Sequence, residues 1–399
     1  MIKLSRPYIN YSNCKARLVC DIEYESLNHR GVGCEKVSII VEVDKEYEKY
    51  LCYERSDAFL IAILPLAMRI NQDIVCCAPV TEQLLHNITM VLVPQLAKYD
   101  PMLNNIKITA STDSALMGGD GVGTGLSCGV DSFHTILSYI NTPFKDFKLT
   151  HLCNFDVGSY DAYQDRNETK ARSRGQEKAV SDSLGLPIIF LDSNIMPIMR
   201  NFVGRHKFIH TYYSIFAVFA LRKLWKIYYY ASTYDLSHFS IIEASQKDSS
   251  YYDLLSSYCF TVPDLRIYIG GINEFREEKL LMISDSDIVK KYLHVCVRTA
   301  PKNCNICFKC RRTLLMLDML GKLEEFRDVF DIDYYNSNRV SFYFRHLIMQ
   351  SENNFLKSVY AYFMKKEPKL MARAMRKVKR RMGKKADLET KGGLDSTNG

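Results

Sequence analysis

No stretch of the 399-residue sequence is both long and apolar enough to cross a bilayer as a helix. The most apolar runs are residues 59–68, which are too few, and 212–232, which Arg222, Lys223 and Lys226 interrupt. The first 20 residues carry charges and no apolar centre, so no secretory signal is expected. An even, regularly spaced cysteine set is also missing. Of 13 cysteines, nine are scattered and four fall within residues 296–310. That pattern argues against a secreted disulfide scaffold and for a reducing compartment with one metal site. The expected setting is cytoplasmic, with no membrane partner. Internal repeats are absent, and no G-K-[ST] step marks a Walker loop. With 47% hydrophobic and 25% charged residues, the composition is that of an ordinary globular chain, long enough for two or three domains.

The pattern of apolar residues changes near residue 120. Before it, residues 37–43 alternate as a strand, 55–71 and 81–99 read as helices, and 74–78 as a short strand. This predicts an N-terminal α+β domain over residues 1–115. Nothing in it looks catalytic, and Glu54, Arg55 and Asp57 read as charges in the first turn of a helix. From 121 onward strands (121–126, 148–155, 187–191, 265–269) alternate with helices (132–140, 168–184, 208–225). Such alternation predicts an α/β fold, a parallel sheet with helices on both faces, and ligands at the carboxyl ends of the strands.

One such end carries Gly125-Leu126-Ser127-Cys128-Gly129-Val130-Asp131-Ser132. A strand, a glycine-containing turn and a helix start make an anion cradle, because backbone N–H groups at the helix N-terminus point toward a phosphate. Ser127 and Ser132 offer hydroxyls, and Asp131 can hold Mg²⁺ across phosphate oxygens. The plain alternative is a serine-capped helix start. The segment resembles the S-G-G-x-D-S signature of the PP-loop ATP pyrophosphatases, which cleave ATP between the α- and β-phosphates and adenylate a substrate. Cys128 stands where that family has its first glycine. With φ negative, a small residue there would leave the loop intact.

Further on, Cys296, Cys304, Cys307 and Cys310 form C-x₇-C-x₂-C-x₂-C. Four thiolates arranged tetrahedrally suit a structural Zn²⁺; an iron–sulfur cluster, a redox pair or no metal are the alternatives. This spacing, followed by Arg311, together with Phe155-Asp156-Val157-Gly158, Gly204-Arg205-His206 and the segment from Glu274 to Lys279, resembles the QueC family of 7-cyano-7-deazaguanine synthases over residues 120–320. The resemblance implies a HUP-type (adenine nucleotide alpha-hydrolase-like) domain over 116–330. It implies ATP, Mg²⁺ and Zn²⁺ as cofactors, and a deazapurine-like carboxylate that is adenylated and then joined to a nitrogen nucleophile. Ser127, Cys128, Gly129, Val130, Asp131, Ser132 and Asp156 would contact ATP. Asp131 and Arg205 would act in catalysis. QueC-like proteins with extra domains occur in anti-phage operons, which allows a protein partner as nucleophile. The alternatives are a tRNA-modifying PP-loop enzyme and a non-catalytic zinc-stabilised binding module with a degenerate loop. The polar, aromatic segment from Asp248 to Asp253 reads equally as a base-stacking loop and a surface loop.

Residues 331–399 are expected to be a helical extension with a basic tail. Residues 365–385 hold 11 Lys/Arg and one acid, a net +10, within a chain of net +8. The remainder, with 42 basic and 44 acidic residues, is therefore near neutral. A helix from Pro368 to Met382 would carry Leu370, Met371, Ala374, Met375 and Val378 on one face. The segment reads equally as a solvated tail and as an RNA contact. After Gly383 the apolar period is lost and no order is expected.

Overall fold

The computed structural model describes residues 1–28, 31–161, 165–203, 208–244, 248–298, 302–351 and 356–392. Its strands are β1 (Ile2–Leu4), β2 (Tyr8–Ser12), β3 (Lys15–Asn28), β4 (Gly31–Asp44), β5 (Ile74–Cys76), β6 (Val80–Thr81), β7 (Ile108–Thr109), β8 (Thr112–Asp113), β9 (Gly121–Gly125), β10 (His151–Asp156), β11 (Ile188–Ser193), β12 (Trp225–Ala231) and β13 (Arg266–Gly270). All but β6 and β8 join one sheet. Its order is β13-β12-β9-β10-β11-β4-β3-β1-β5-β7, with β2 paired on β3.

The five strands from β9 to β13 are parallel where they meet. The chain runs outward from β9 through β10 to β11, then returns to β9's other side for β12 and β13. This is a doubly wound order with its switch point at β9. Helices cover both faces, as alternation predicts. On one face Tyr139 of the Val130–Ile140 helix stacks on Tyr229 with ring centroids 3.7 Å apart. There Asn154 also donates to Glu177 of the Arg166–Leu184 helix at 3.0 Å. On the other face Cys153, Ile189, Leu191 and Tyr228 share a core with the Asp57–Ile70 and His210–Ala220 helices, where Phe59 meets Phe216 edge to face. Gly123 is required for close approach. A Cβ there would lie 2.5 Å from the buried Trp225 ring, which seats β12 against β9.

The predicted boundary at residue 115 is not where the chain divides. β4 pairs antiparallel with β11 (Val43 opposite Leu191), so the N-terminal strands extend the same sheet. One compact unit comprises residues 1–127 and 131–274; the second comprises residues 275–399 with 128–130. The alternation that defines β3 and β4 explains the extension. Leu18, Ile22, Ile39, Val41 and Val43 are buried on one face. The other face carries ion pairs at one end, Lys15 on Asp44 and Arg17 on Glu42, each at 2.6 Å.

Arg55 and Asp57 are a second correction. They are not first-turn surface charges but lie 1% exposed in an ion network. Arg222 pairs with Asp57, and with Asp264 at 2.5 Å. Arg55 donates to Thr81 (2.9 Å) and to the Ala115 carbonyl (2.6 Å). Asp264 also accepts from the backbone N–H of Gly118 at 2.8 Å. The network explains why the helix expected over 208–225 stops early. Its Arg222 is drawn into the carboxylates within a short 3-10 turn, and the β-favouring run Ile227-Tyr228-Tyr229-Tyr230 continues as β12.

The second unit is helical. It contains Arg276–Ile283, Asp287–Tyr292, Phe308–Met319, Ile332–Asn338, Phe344–Met349, Lys357–Lys366 and Pro368–Gly392. The four clustered cysteines therefore belong with the C-terminal helices rather than ending an earlier domain at residue 330. The last helix runs beyond Gly383, against the expectation of no order there, because Lys, Ala, Leu and Glu are good helix formers even without an apolar stripe.

Candidate functional site

The loop 126–129 leaves the carboxyl end of β9, the central strand at the switch point, and enters the Val130–Ile140 helix. Three hydrogen bonds fix its shape. Leu126 N–H donates to the Cys153 carbonyl at 2.7 Å. Ser132 Oγ donates to the Gly125 carbonyl at 2.9 Å and accepts the Ser127 N–H at 3.1 Å. Ser132 is thus a staple inside the loop, 5% exposed, with its hydrogen committed to Gly125 rather than offered to a ligand. Ser127 is exposed, whereas Gly129 and Asp131 are half-buried. Val130 is buried at the helix start, and Thr135 Oγ1 donates to the Asp131 carbonyl at 2.9 Å.

Cys128 departs from expectation. Its φ is +56°, in the left-handed region, not negative. A non-glycine residue there costs on the order of 1–3 kcal/mol. Its side chain is buried, and its carbonyl accepts the His294 N–H at 2.8 Å within the second unit. The loop therefore keeps the backbone turn that a glycine would favour, while carrying a Cβ.

Asp156 ends β10 with no exposed surface, ion-paired to Arg166 and Lys170, each at 2.8 Å. Lys170 also pairs with Asp192, which Arg174 holds at 2.7 Å. Burial pushes the Asp192 carboxyl up, but the Arg174 and Lys170 bonds outweigh it and hold it below the usual carboxylate range. Asp156 is an anchor for the strand end in this arrangement. Arg205, with Gly204 and His206, lies outside the described residues.

At the carboxyl end of β12 the segment from Asp248 to Asp253 meets His210, Thr211 and Tyr230, which its sequence pattern does not point to. His210 faces Tyr230 Oη at 2.9 Å through Nδ1 and Asp248 at 2.8 Å through Nε2. Ser250 Oγ lies 3.2 Å from Nε2, and Thr211 Oγ1 donates to Asp253 at 2.8 Å. Burial pushes the Asp253 carboxyl up to about 7, against the opposing His210 charge and Thr211 bond. Burial also raises Asp248, yet His210 more than offsets it and leaves that carboxyl below its ordinary value. A small recess open to solvent beside this group is lined by Ser232, Tyr234, His238, Ser250, Tyr251 and Asp253, among others. The segment from Asp248 to Asp253 is therefore packed into the strand end, with residues 249–253 buried, rather than lying as a surface loop. A histidine at the head of an apolar helix was the available sequence signal for His210.

The four cysteine Sγ atoms converge, all within 4.8 Å of one another. Cys307 and Cys310 stand 3.4 Å apart, and Cys304 and Cys310 3.9 Å. A tetrahedral Zn–S₄ site with bonds of about 2.3 Å has S···S edges of about 3.8 Å, so the cluster can hold a metal ion such as zinc. Backbone N–H groups of Arg298, Cys307 and Cys310 point at Cys296, Cys304 and Cys307 sulfurs at 3.3–3.4 Å, a donor set that suits thiolates. Asn303 braces the loop. It accepts from Val295 N–H and donates to the Leu293 and Val329 carbonyls. Asn305, at φ +58°, supplies the turn between Cys304 and Cys307.

No protein-family model, curated protein or solved structure matches the chain. No helix among the described residues is long and apolar enough to cross a membrane.

Proposed function

We propose that the chain is a QueC-like PP-loop enzyme that adenylates a carboxylate with ATP and then forms an amide, or with loss of water a nitrile, from a nitrogen nucleophile. The observation that carries this reading is the loop 126–129, lying at the switch point of a doubly wound sheet between the central strand and a helix N-terminus. The HUP-type assignment rests on that same strand order. The converged cysteines support the second half of the resemblance.

In this reading Ser127, Cys128, Gly129 and Val130 bind phosphate through the loop and helix start. Asp131 would hold Mg²⁺, which would supply charge neutralisation on the phosphates. A substrate carboxylate oxygen attacks the α-phosphorus. The bond to the β-phosphate oxygen breaks, and pyrophosphate leaves with the electron pair. The nitrogen nucleophile then attacks the acyl carbon, AMP departs, and the nucleophile's proton passes to solvent. The loop positions the phosphates and the helix start stabilises developing charge. Zn²⁺ on Cys296, Cys304, Cys307 and Cys310 has a structural role. A deazapurine-like ring is the proposed small-molecule substrate, with a protein amine as a further nucleophile in an anti-phage setting.

Incubation with 7-carboxy-7-deazaguanine, ATP, Mg²⁺ and ammonium should release AMP and pyrophosphate. Asp131→Ala should reduce release at least 100-fold. Cys128→Gly, which removes the left-handed strain, should retain it. No AMP from any carboxylate, with Asp131→Ala indistinguishable from wild type in cells, would instead favour a binding module. AMP release triggered by tRNA alone would favour the tRNA-modifying alternative.

A further inference from the structure

The basic tail is not a loose appendage. Pro368–Gly392 is helical, and Met371, Ala374 and Val378 are buried where it packs on Arg339–Tyr343, Phe344–Met349 and Lys357–Lys366 of the same unit. Arg339 bonds Glu367 at 2.5 Å just before the helix begins. Over residues 368–381 its apolar side is consequently taken up by packing, and the opposite side is fixed in direction.

That opposite face is a ladder of cations. Lys369, Arg373, Arg376 and Arg380 are spaced four, three and four residues apart, so they lie in one row along the helix. At 1.5 Å of rise per residue the row is about 16 Å long, with steps of about 4.5–6 Å. Lys377, Lys379 and Arg381 flank it, and Lys365 and Lys366 lie just before the helix. All nine are exposed, and among the described residues none makes an ion pair. So many uncompensated cations in one row repel each other unless an anion meets them.

We propose that this face docks the phosphate backbone of a nucleic acid, without reading its sequence. Three features choose that partner among polyanions. A single row of evenly stepped cations matches a strand's single row of phosphates. Four of the nine are arginines, whose forked donors suit phosphate oxygens. A membrane-surface helix would instead need its apolar face to enter lipid, and that face is buried in the protein. The inference does not depend on the adenylation chemistry.

The test is fluorescence anisotropy of the full chain on labelled RNA and DNA, single- and double-stranded, across about 50–200 mM salt, beside vesicles containing phosphatidylserine. Binding should weaken steeply with salt. The quadruple variant Lys369→Gln, Arg373→Gln, Arg376→Gln, Arg380→Gln should reduce the log–log salt slope by about 3 on a single strand, at about 0.7 per phosphate contact. At the low-salt end its affinity should fall at least 30-fold. The same four positions as lysine should retain most binding, with unchanged melting of both variants showing that the fold is intact. Asp131→Ala should bind like wild type, which separates this inference from the fate of the adenylation reading. An unchanged salt slope in the glutamine variant, or vesicle binding without nucleic-acid binding, would overturn the proposal.

Discussion

At the scale of single residues, the sharpest constraint is a buried carboxyl. Glu177 is 1% exposed and takes bonds from Asn154 (3.0 Å) and Ser173 (2.9 Å). Burial pushes it from 4.5 up to about 7, against the pull of Ser173, Arg174 and Asn154. Between those two values the folded chain holds a proton that the unfolded chain has lost. The Glu177 contribution to stability therefore falls as pH rises from about 4.5 to 7 and levels off above, each unit being worth about 1.36 kcal/mol. Glu177→Gln should flatten that slope, so that its melting temperature relative to wild type rises steadily across the interval. An unchanged slope would mean that Glu177 is ionised in the fold. Asp253, raised to a similar value by burial, acts in the same direction.

At the scale of elements, the cysteine knuckle makes a direct claim. Purified protein should carry about one zinc per chain, and Cys310→Ser should lose it and lower the melting temperature, read by elemental analysis and calorimetry. Intact melting without metal would remove the structural role. This site was almost fully legible in the sequence, because two adjacent C-x₂-C steps impose their geometry locally. The loop at Ser127–Ser132 was legible as a motif, but two of its details were not. The hydroxyl of Ser132 turns inward on Gly125, and Cys128 takes a positive φ; both follow from strand pairing and packing that no local pattern encodes. β12 was hidden for the same reason. Its tyrosines continue the apolar run of the preceding helix, and only the distant carboxylates of Asp57 and Asp264 mark where Arg222 breaks it.

At the scale of the whole molecule, the change of pattern near residue 120 marks a change of topology and not a domain boundary. The first unit closes only when β4 meets β11 and when Arg222 meets Asp57 and Asp264. Removing residues 1–115 should therefore leave a chain that aggregates, and Arg222→Met should cost about 3–5 kcal/mol by leaving buried carboxylates unpaired. Denaturant unfolding measures both. Cooperative unfolding of residues 116–399 alone would restore the boundary at 115. The same pairing also sets a timetable. Val43 waits for Leu191, so during synthesis at about 5–20 residues per second the edge of β4 stays open for roughly 7–30 seconds. For that interval the nascent chain presents an uncovered strand. The alternating charges of Lys15, Arg17, Glu42 and Asp44 keep one end of one face wet while the other face waits for its partner.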